Sequence, residues 1–144
     1  MSNDNVKIIK TIHFGEMEVE PSHVFYFKDG LLGFEDLKDF VLVSEEESEP
    51  FKWLISMTNP DIGFPLLNPW FLDLNYNPGR NIDLEKEVVF SVVTLANTDN
   101  EMTANLKAPI IIDISNNEGR QIILPSDKYS PHYSIVKDAK KQST

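Results

Sequence analysis

The chain has 144 residues, of which 41% are hydrophobic and 25% are charged, a balance typical of a single globular domain. It contains no cysteine, which excludes disulfide bonds, thiolate metal sites and a cysteine nucleophile. Its formal charge of -10 at pH 7 opposes binding to phosphate backbones and anionic lipids and favours basic protein partners. We therefore expect no direct nucleic-acid binding and no membrane binding.

Two strands are predicted at the start of the chain. Residues 6–14 are rich in β-branched side chains, and residues 15–20 alternate between apolar and acidic positions. Successive side chains of a strand face opposite ways, so Met17 and Val19 should point inward while the glutamates between them face water.

The next segments predict three short strands and one short helix. Val24–Phe27 is an aromatic strand, and residues 33–40 have the apolar spacing of one or two amphipathic helical turns. Residues 40–43 and 51–58 are predicted strands that flank an acidic link at residues 45–50. Four carboxylates in this link repel one another and should keep it extended in water.

The second half of the chain begins with a predicted irregular connection. Residues 59–79 contain four prolines, which cannot donate hydrogen bonds within a sheet, so regular central strands are not expected there. Residues 88–95 predict a strand covered on both faces. Residues 110–115 and 121–124 predict a hairpin, preceded by a polar turn at residues 97–101.

Together these elements predict a mostly β, single-domain fold with one or two short helices, either an antiparallel barrel or a sandwich. We expect the domain to span residues 1–138 and residues 139–144 to be disordered. The segment before that tail is more apolar than a tail requires, and it is either a last strand that closes the barrel or a binding segment. Its apolar residues are Tyr129, Tyr133, Ile135 and Val136.

The sequence contains no recognisable catalytic or metal-binding pattern. His13, His23 and His132 lack a second histidine at metal-ligand spacing, and no serine lies in a nucleophile elbow. We therefore expect no catalytic residue, metal or cofactor, and we interpret the protein as not being an enzyme. No apolar run reaches the roughly 18 residues needed to cross a bilayer, and we interpret the chain as cytoplasmic.

Two groups of residues are candidate partner-binding sites. The acidic link could attract a basic partner, although a solvated turn explains it more simply; its carboxylates are Glu45, Glu46, Glu47 and Glu49. The proline-rich connection carries the second group, Phe64, Trp70 and Phe71. These rings either complete the barrel core, which is the simpler explanation, or line a groove for an amphipathic helix.

Three short motifs follow one another along the chain: residues 30–35 (GLLGFE), residues 103–112 (TANLKAPIII) and residues 119–124 (GRQIIL). In this order they resemble the motifs of the FliW family of flagellar assembly factors. Residues 30–35 (GLLGFE) resemble the family's GLPGFE, with Leu32 in place of proline. Residues 103–112 resemble TANLxAPIVIN, and residues 119–124 resemble GKQVIL. The segment 129–135 departs from the usual C-terminal pattern. The family motif residues carried over are Gly30, Gly33, Phe34, Glu35, Asn105, Leu106, Ala108 and Pro109.

The resemblance implies a cytoplasmic binding protein with two partners. We expect the protein itself to act as a monomer. One partner is flagellin, held before export; the other is the basic translational regulator CsrA. When flagellin is scarce, the free factor would bind and antagonise CsrA, so that flagellin synthesis follows flagellin level. Two other functions stay open on the residues alone: a small-ligand-binding or hydrolytic β-barrel, and an acidic nucleic-acid mimic.

Overall fold

The structure of the protein is a computed structural model that describes residues 6–95 and 102–135. The turn predicted at 97–101 and the tail predicted at 139–144 lie outside these residues. Within them the chain forms ten strands: β1 (Lys7–Thr11), β2 (Gly15–Val19), β3 (Val24–Phe27), β4 (Asp39–Val43), β5 (Lys52–Ser56), β6 (Gly63–Leu67), β7 (Glu87–Leu95), β8 (Met102–Asp113), β9 (Glu118–Gln121) and β10 (Tyr133–Ser134). Three 3-10 turns accompany them, at Pro21–His23, Glu46–Ser48 and Pro69–Phe71.

The mostly β fold predicted from the sequence is confirmed, and of the two predicted architectures, barrel and sandwich, seven of the strands form a closed barrel. Neighbouring strands follow the order β8-β7-β6-β5-β4-β3-β9, and β9 pairs again with β8 to close the ring. The pairs are antiparallel except for β3 with β9, which run parallel. Closure leaves the barrel strands without free edges.

The barrel interior is filled by large apolar side chains from alternate positions of its strands. In β4, Phe40 is fully buried in this interior cluster, while its neighbour Val41 belongs to a different cluster on the outer face. The cluster comprises Phe25, Phe27, Leu31, Phe40, Leu54, Leu66, Phe90, Ile110 and Ile112. The rings of Phe27 and Phe40 meet edge to face at 5.3 Å, an arrangement that favours attraction between aromatic quadrupoles.

The hairpin of β1 and β2 forms a separate two-stranded sheet that packs on the outside of the barrel. Its buried residues Ile9 and Val19 contact Val41 and Val43 of β4 and Ile55 of β5. The three glutamates of residues 16–20 are exposed. The strand pair and the inward direction of Val19 were thus predicted correctly from the alternation.

A third apolar cluster covers the outer face of β7 and β8. Ile111 points outward into it, whereas Ile110 and Ile112 point into the barrel. The cover comes from the connection after β6, which supplies Tyr76, and from the C-terminal segment, which supplies Tyr129. β10 then pairs with the first half of β8, beyond the part that pairs with β9.

The helix predicted at residues 33–40 is absent, and turns occupy that segment up to β4. Gly30 and Gly33 have φ of 64° and 84°, left-handed values that end a right-handed helix. Leu31 and Phe34 instead form an isolated antiparallel bridge, in which Phe34 N donates to Leu31 O at 2.7 Å. The apolar residues of this segment have other roles: Leu37 packs against the barrel core, and Phe34, which is partly exposed, packs its ring on Phe64.

The prediction of an irregular connection over residues 59–79 was wrong for β6. Ser56 N donates to Ile62 O, and hydrogen-bonded pairs alternate in an antiparallel ladder. The pair of Trp53 and Pro65 is therefore a non-hydrogen-bonded pair, in which β5 requires no donor from the proline. On the other side, β7 pairs only with Leu66 and Leu67. Pro65 thus occupies a position in the sheet where its missing N–H is tolerated.

A large irregularity interrupts the pairing of β7 with β8. Phe90 faces Ile110, but Val92 faces Asn105, so the register shifts at Ser91. The bulged part of β8 is the centre of the second family motif. Ser91 Oγ is buried there, and it lacks a hydrogen-bond partner among the described residues.

Candidate partner-binding surfaces

The three motif segments meet at one end of the barrel, where a single amide side chain links them. Gln121 Oε1 accepts a hydrogen bond from Leu32 N at 2.9 Å, and Gln121 Nε2 donates to Ala108 O at 3.0 Å. Leu32, Ala108 and Gln121 belong to the first, second and third motif. Gln121 was not among the binding residues predicted from the sequence, in which its place within the third motif was the only signal for it.

A cavity of about 160 Å³ lies at this end of the barrel. Leu31, Phe64 and Val92 give it an apolar side, and Asn105 and His132 belong to its polar side. Small-ligand sites usually have roughly 300 to 1,000 Å³. The cavity is below that range, so it gives little support to a ligand-binding barrel with its site here.

The second motif has a structural role at the bulge. Asn105 Oδ1 accepts from Lys107 N at 3.1 Å and Ala108 N at 2.9 Å, which holds the bulged backbone in place. Leu106 is buried, and its carbonyl accepts from Tyr76 Oη at 2.7 Å. Burial raises the pKa of Tyr76, and the neighbouring Tyr129 raises it further, so the hydroxyl of Tyr76 stays protonated and remains a donor.

Pro109 and the first motif likewise contribute to the fold. Pro109 O accepts from Ile122 N at 3.1 Å, which continues the pairing of the chain after β9 with β8. Glu35 Oε2 accepts from Gly33 N at 3.1 Å, and this backbone hydrogen bond lowers the pKa of Glu35. Phe34 packs its ring on Phe64 at 5.2 Å.

The aromatic group of the proline-rich connection is divided between two clusters. Phe64 packs against the barrel interior, near Phe40 and Phe34. Trp70 packs against the outer cluster, and its Nε1 donates to Tyr76 O at 2.8 Å. Phe71 is 66% exposed, and Leu74 in the same loop is 87% exposed. Phe71 and Leu74 are thus both exposed on this loop, and Phe71 does not share a cluster with Phe64.

The acidic link lies between β4 and β5 and contains the 3-10 turn Glu46–Ser48. All four of its carboxylate residues are exposed. Lys52 Nζ donates to Glu49 Oε1 at 3.2 Å, which partly neutralises that carboxylate. Among the described residues, the other three link glutamates form no ion pair.

The described part of the chain bears on metal binding and on membrane spans. No group of three or more histidine, aspartate or glutamate side chains there is arranged to hold a metal ion. No helix in residues 6–95 and 102–135 is long and apolar enough to span a membrane.

The fold and these surfaces define a small, single-domain β-barrel protein with an acidic link on one loop and exposed apolar side chains on another. A family model described as "FliW protein" matches residues 7–135. The chain belongs to the FliW family.

Comparison with individual relatives gives the same family. The chain is 37% identical to "Flagellar assembly factor FliW" of Caldanaerobacter subterraneus subsp. tengcongensis, over 92% of this chain and 95% of that protein. It is 37% identical to the protein of the same name from Clostridium beijerinckii, over 91% of this chain and 99% of that protein. A crystal structure of the flagellar assembly factor FliW matches with a TM-score of 0.80 and 28% identity, over 89% of this chain and 96% of that chain.

Proposed function

We propose that this protein is a cytoplasmic flagellar assembly factor that binds flagellin and, when free, binds and antagonises the translational regulator CsrA. The observation that carries the proposal is the family match, which spans nearly all of the described chain. The protein acts by binding alone, as a monomer, without a covalent step. Flagellin synthesis is then coupled to flagellin level because the two complexes exclude each other.

Flagellin is expected to bind through amphipathic helices, which need an apolar surface in water. The exposed side chains of Phe71 and Leu74 provide such a surface on the loop after β6. In this proposal Phe71 contacts flagellin directly. Trp70 holds the loop in position through its hydrogen bond to Tyr76 O, and Phe64 contributes at the end of the barrel.

CsrA is expected to approach the acidic side of the protein, because complementary charge speeds the encounter of two proteins. The four exposed glutamates of the acidic link are the densest local group of charge for this purpose. Their effect should be on association more than on dissociation, since exposed charges at a rim act mainly through long-range steering.

Neutralising the acidic link should therefore slow CsrA binding. The variant replaces Glu45, Glu46, Glu47 and Glu49 by glutamine. We expect the association rate at low salt to fall about tenfold, with a smaller change in the dissociation rate, and the difference from wild type to shrink as salt rises. Stopped-flow or surface-based kinetics would measure both rates.

The matched control removes four carboxylates from other exposed loops. Its substitutions are Asp36→Asn, Asp61→Asn, Glu85→Gln and Asp127→Asn. If the control slows association as much as the link variant does, only the net charge matters and the link is not part of the interface. Absence of CsrA binding by the wild-type protein would refute the CsrA half of the proposed function.

A further inference from the structure

A groove of about 480 Å³ lies beside the acidic link, where the outer hairpin meets the barrel. β2 lines it with Met17, Glu18 and Val19, and β4 lines it with Val43. Val19 and Val43 are buried at 2% and 5% exposure. These two valines offer almost no surface to a partner, and the accessible apolar side chain of this wall is the half-buried Met17.

Ile114, which follows β8, lines the same groove and is 51% exposed. Together with the half-buried Met17, it gives the groove an accessible apolar floor. Burying such a side chain against a partner gains roughly 25 cal/mol for each Å² removed from water. The groove is therefore a place where an apolar side chain of a partner gains contact without rearrangement of the hairpin.

The charged residues of the groove are mostly acidic. Glu18 of β2 and Glu45 of the link line it from two different elements, and both are exposed. Among the described residues, neither carboxylate is in an ion pair. Lys52 also lines the groove, but its Nζ donates to Ser44 Oγ at 2.7 Å and to Glu49 Oε1 at 3.2 Å. His23 is the remaining titratable group of the lining.

We infer that this groove binds a basic amphipathic segment of a protein partner. Apolar side chains of the segment lie on Met17 and Ile114, and its lysine or arginine side chains pair with Glu18 and Glu45. The inference rests on the proposed function only in that the protein acts by binding another protein.

A second copy of this chain is a poor occupant, because two molecules of charge -10 repel each other. An acidic segment would meet like charge at Glu18 and Glu45, which disfavours it. A purely polar basic segment would leave the apolar floor in water. A basic amphipathic segment both covers the apolar floor of the groove and pairs with Glu18 and Glu45.

The test uses a synthetic amphipathic peptide of leucine and lysine, titrated into the full-length protein by calorimetry. The groove variant carries Glu18→Lys and Glu45→Lys. The control variant carries Asp61→Lys and Glu85→Lys, which change the net charge equally on exposed residues outside both the groove and the acidic link. We expect the groove variant to weaken peptide binding at least about tenfold and the control variant less than about threefold. Circular dichroism checks that both variants are folded.

A second peptide, with every leucine replaced by serine, tests the apolar floor, and it should bind at least about tenfold more weakly. Equal losses for the groove and control variants, equal binding of the two peptides, or no binding of the leucine–lysine peptide would each overturn the inference. Flagellin and CsrA binding are measured on the same wild-type sample. Failure of both with the expected peptide results would refute the proposed function and leave the groove assignment standing.

Discussion

Gly30→Ala should lower the free energy of unfolding by about 3 to 4 kcal/mol, the sum of overpacking and backbone strain. A Cβ at this position would lie 2.6 Å from Phe34 O and 2.7 Å from both Cα and O of Glu35. These are backbone atoms, which cannot rotate away. Gly30 also has φ of 64°, a conformation that side-chain-bearing residues rarely adopt. Urea unfolding monitored by tryptophan fluorescence would measure the change.

Gly33→Ala is the matched control for this prediction. Gly33 has φ of 84°, but a Cβ there would meet no heavy atom within 4 Å. Only the backbone strain applies, so we expect a loss of about 1 kcal/mol. The difference between the two variants isolates the steric contact. Similar losses at Gly30 and Gly33 would contradict the close packing of the first motif against its own loop.

Trp70→Ala should cost about 3 kcal/mol of stability, near the low end for truncation of a core ring because Trp70 is partly exposed. The substitution removes the packing of the indole on Tyr76, whose ring centroid lies 5.7 Å away, and the hydrogen bond to Tyr76 O. Phe71→Ala should change stability by less than about 0.5 kcal/mol, because the ring is 66% exposed. Thermal unfolding of both variants would measure these values.

The same two variants test the proposed flagellin surface. Phe71→Ala should weaken flagellin binding at least about tenfold while leaving the melting temperature near that of wild type, as expected of an exposed hot-spot ring. Full stability together with undiminished flagellin binding in Phe71→Ala would remove this ring from the interface. Full stability in Trp70→Ala would contradict the structural role of the indole.

Much of the fold followed from the sequence because one face of each strand is buried. The alternation at residues 15–20 predicted the direction of Val19, and the apolar run at 88–95 predicted β7. The two errors have a common physical cause. Both predictions used only local sequence features, the spacing of apolar residues and the number of prolines. The loop at residues 33–40 forms because Gly30 and Gly33 adopt positive φ. Strand β6 forms because Pro65 lies at a position of the sheet that needs no N–H donor.

The candidate binding surfaces were harder to predict from the sequence than the fold was. The acidic link and the exposure of its glutamates were read directly from composition. The separation of Phe64 from Phe71 depends on which face of β6 and of the following turn each ring occupies. The link through Gln121 and the groove between Glu18 and Glu45 depend on contacts between distant segments. Such contacts leave no periodic signal in one sequence.

A competition measurement tests most directly whether flagellin and CsrA exclude each other on this protein. Purified protein is bound to fluorescently labelled CsrA, and unassembled flagellin is titrated in while anisotropy is recorded. We expect flagellin to displace CsrA completely, with a midpoint that rises with the CsrA concentration, because the two complexes exclude each other. A stable ternary complex, seen as anisotropy that rises as flagellin is added, or no binding of either protein, would contradict the proposed partner switch.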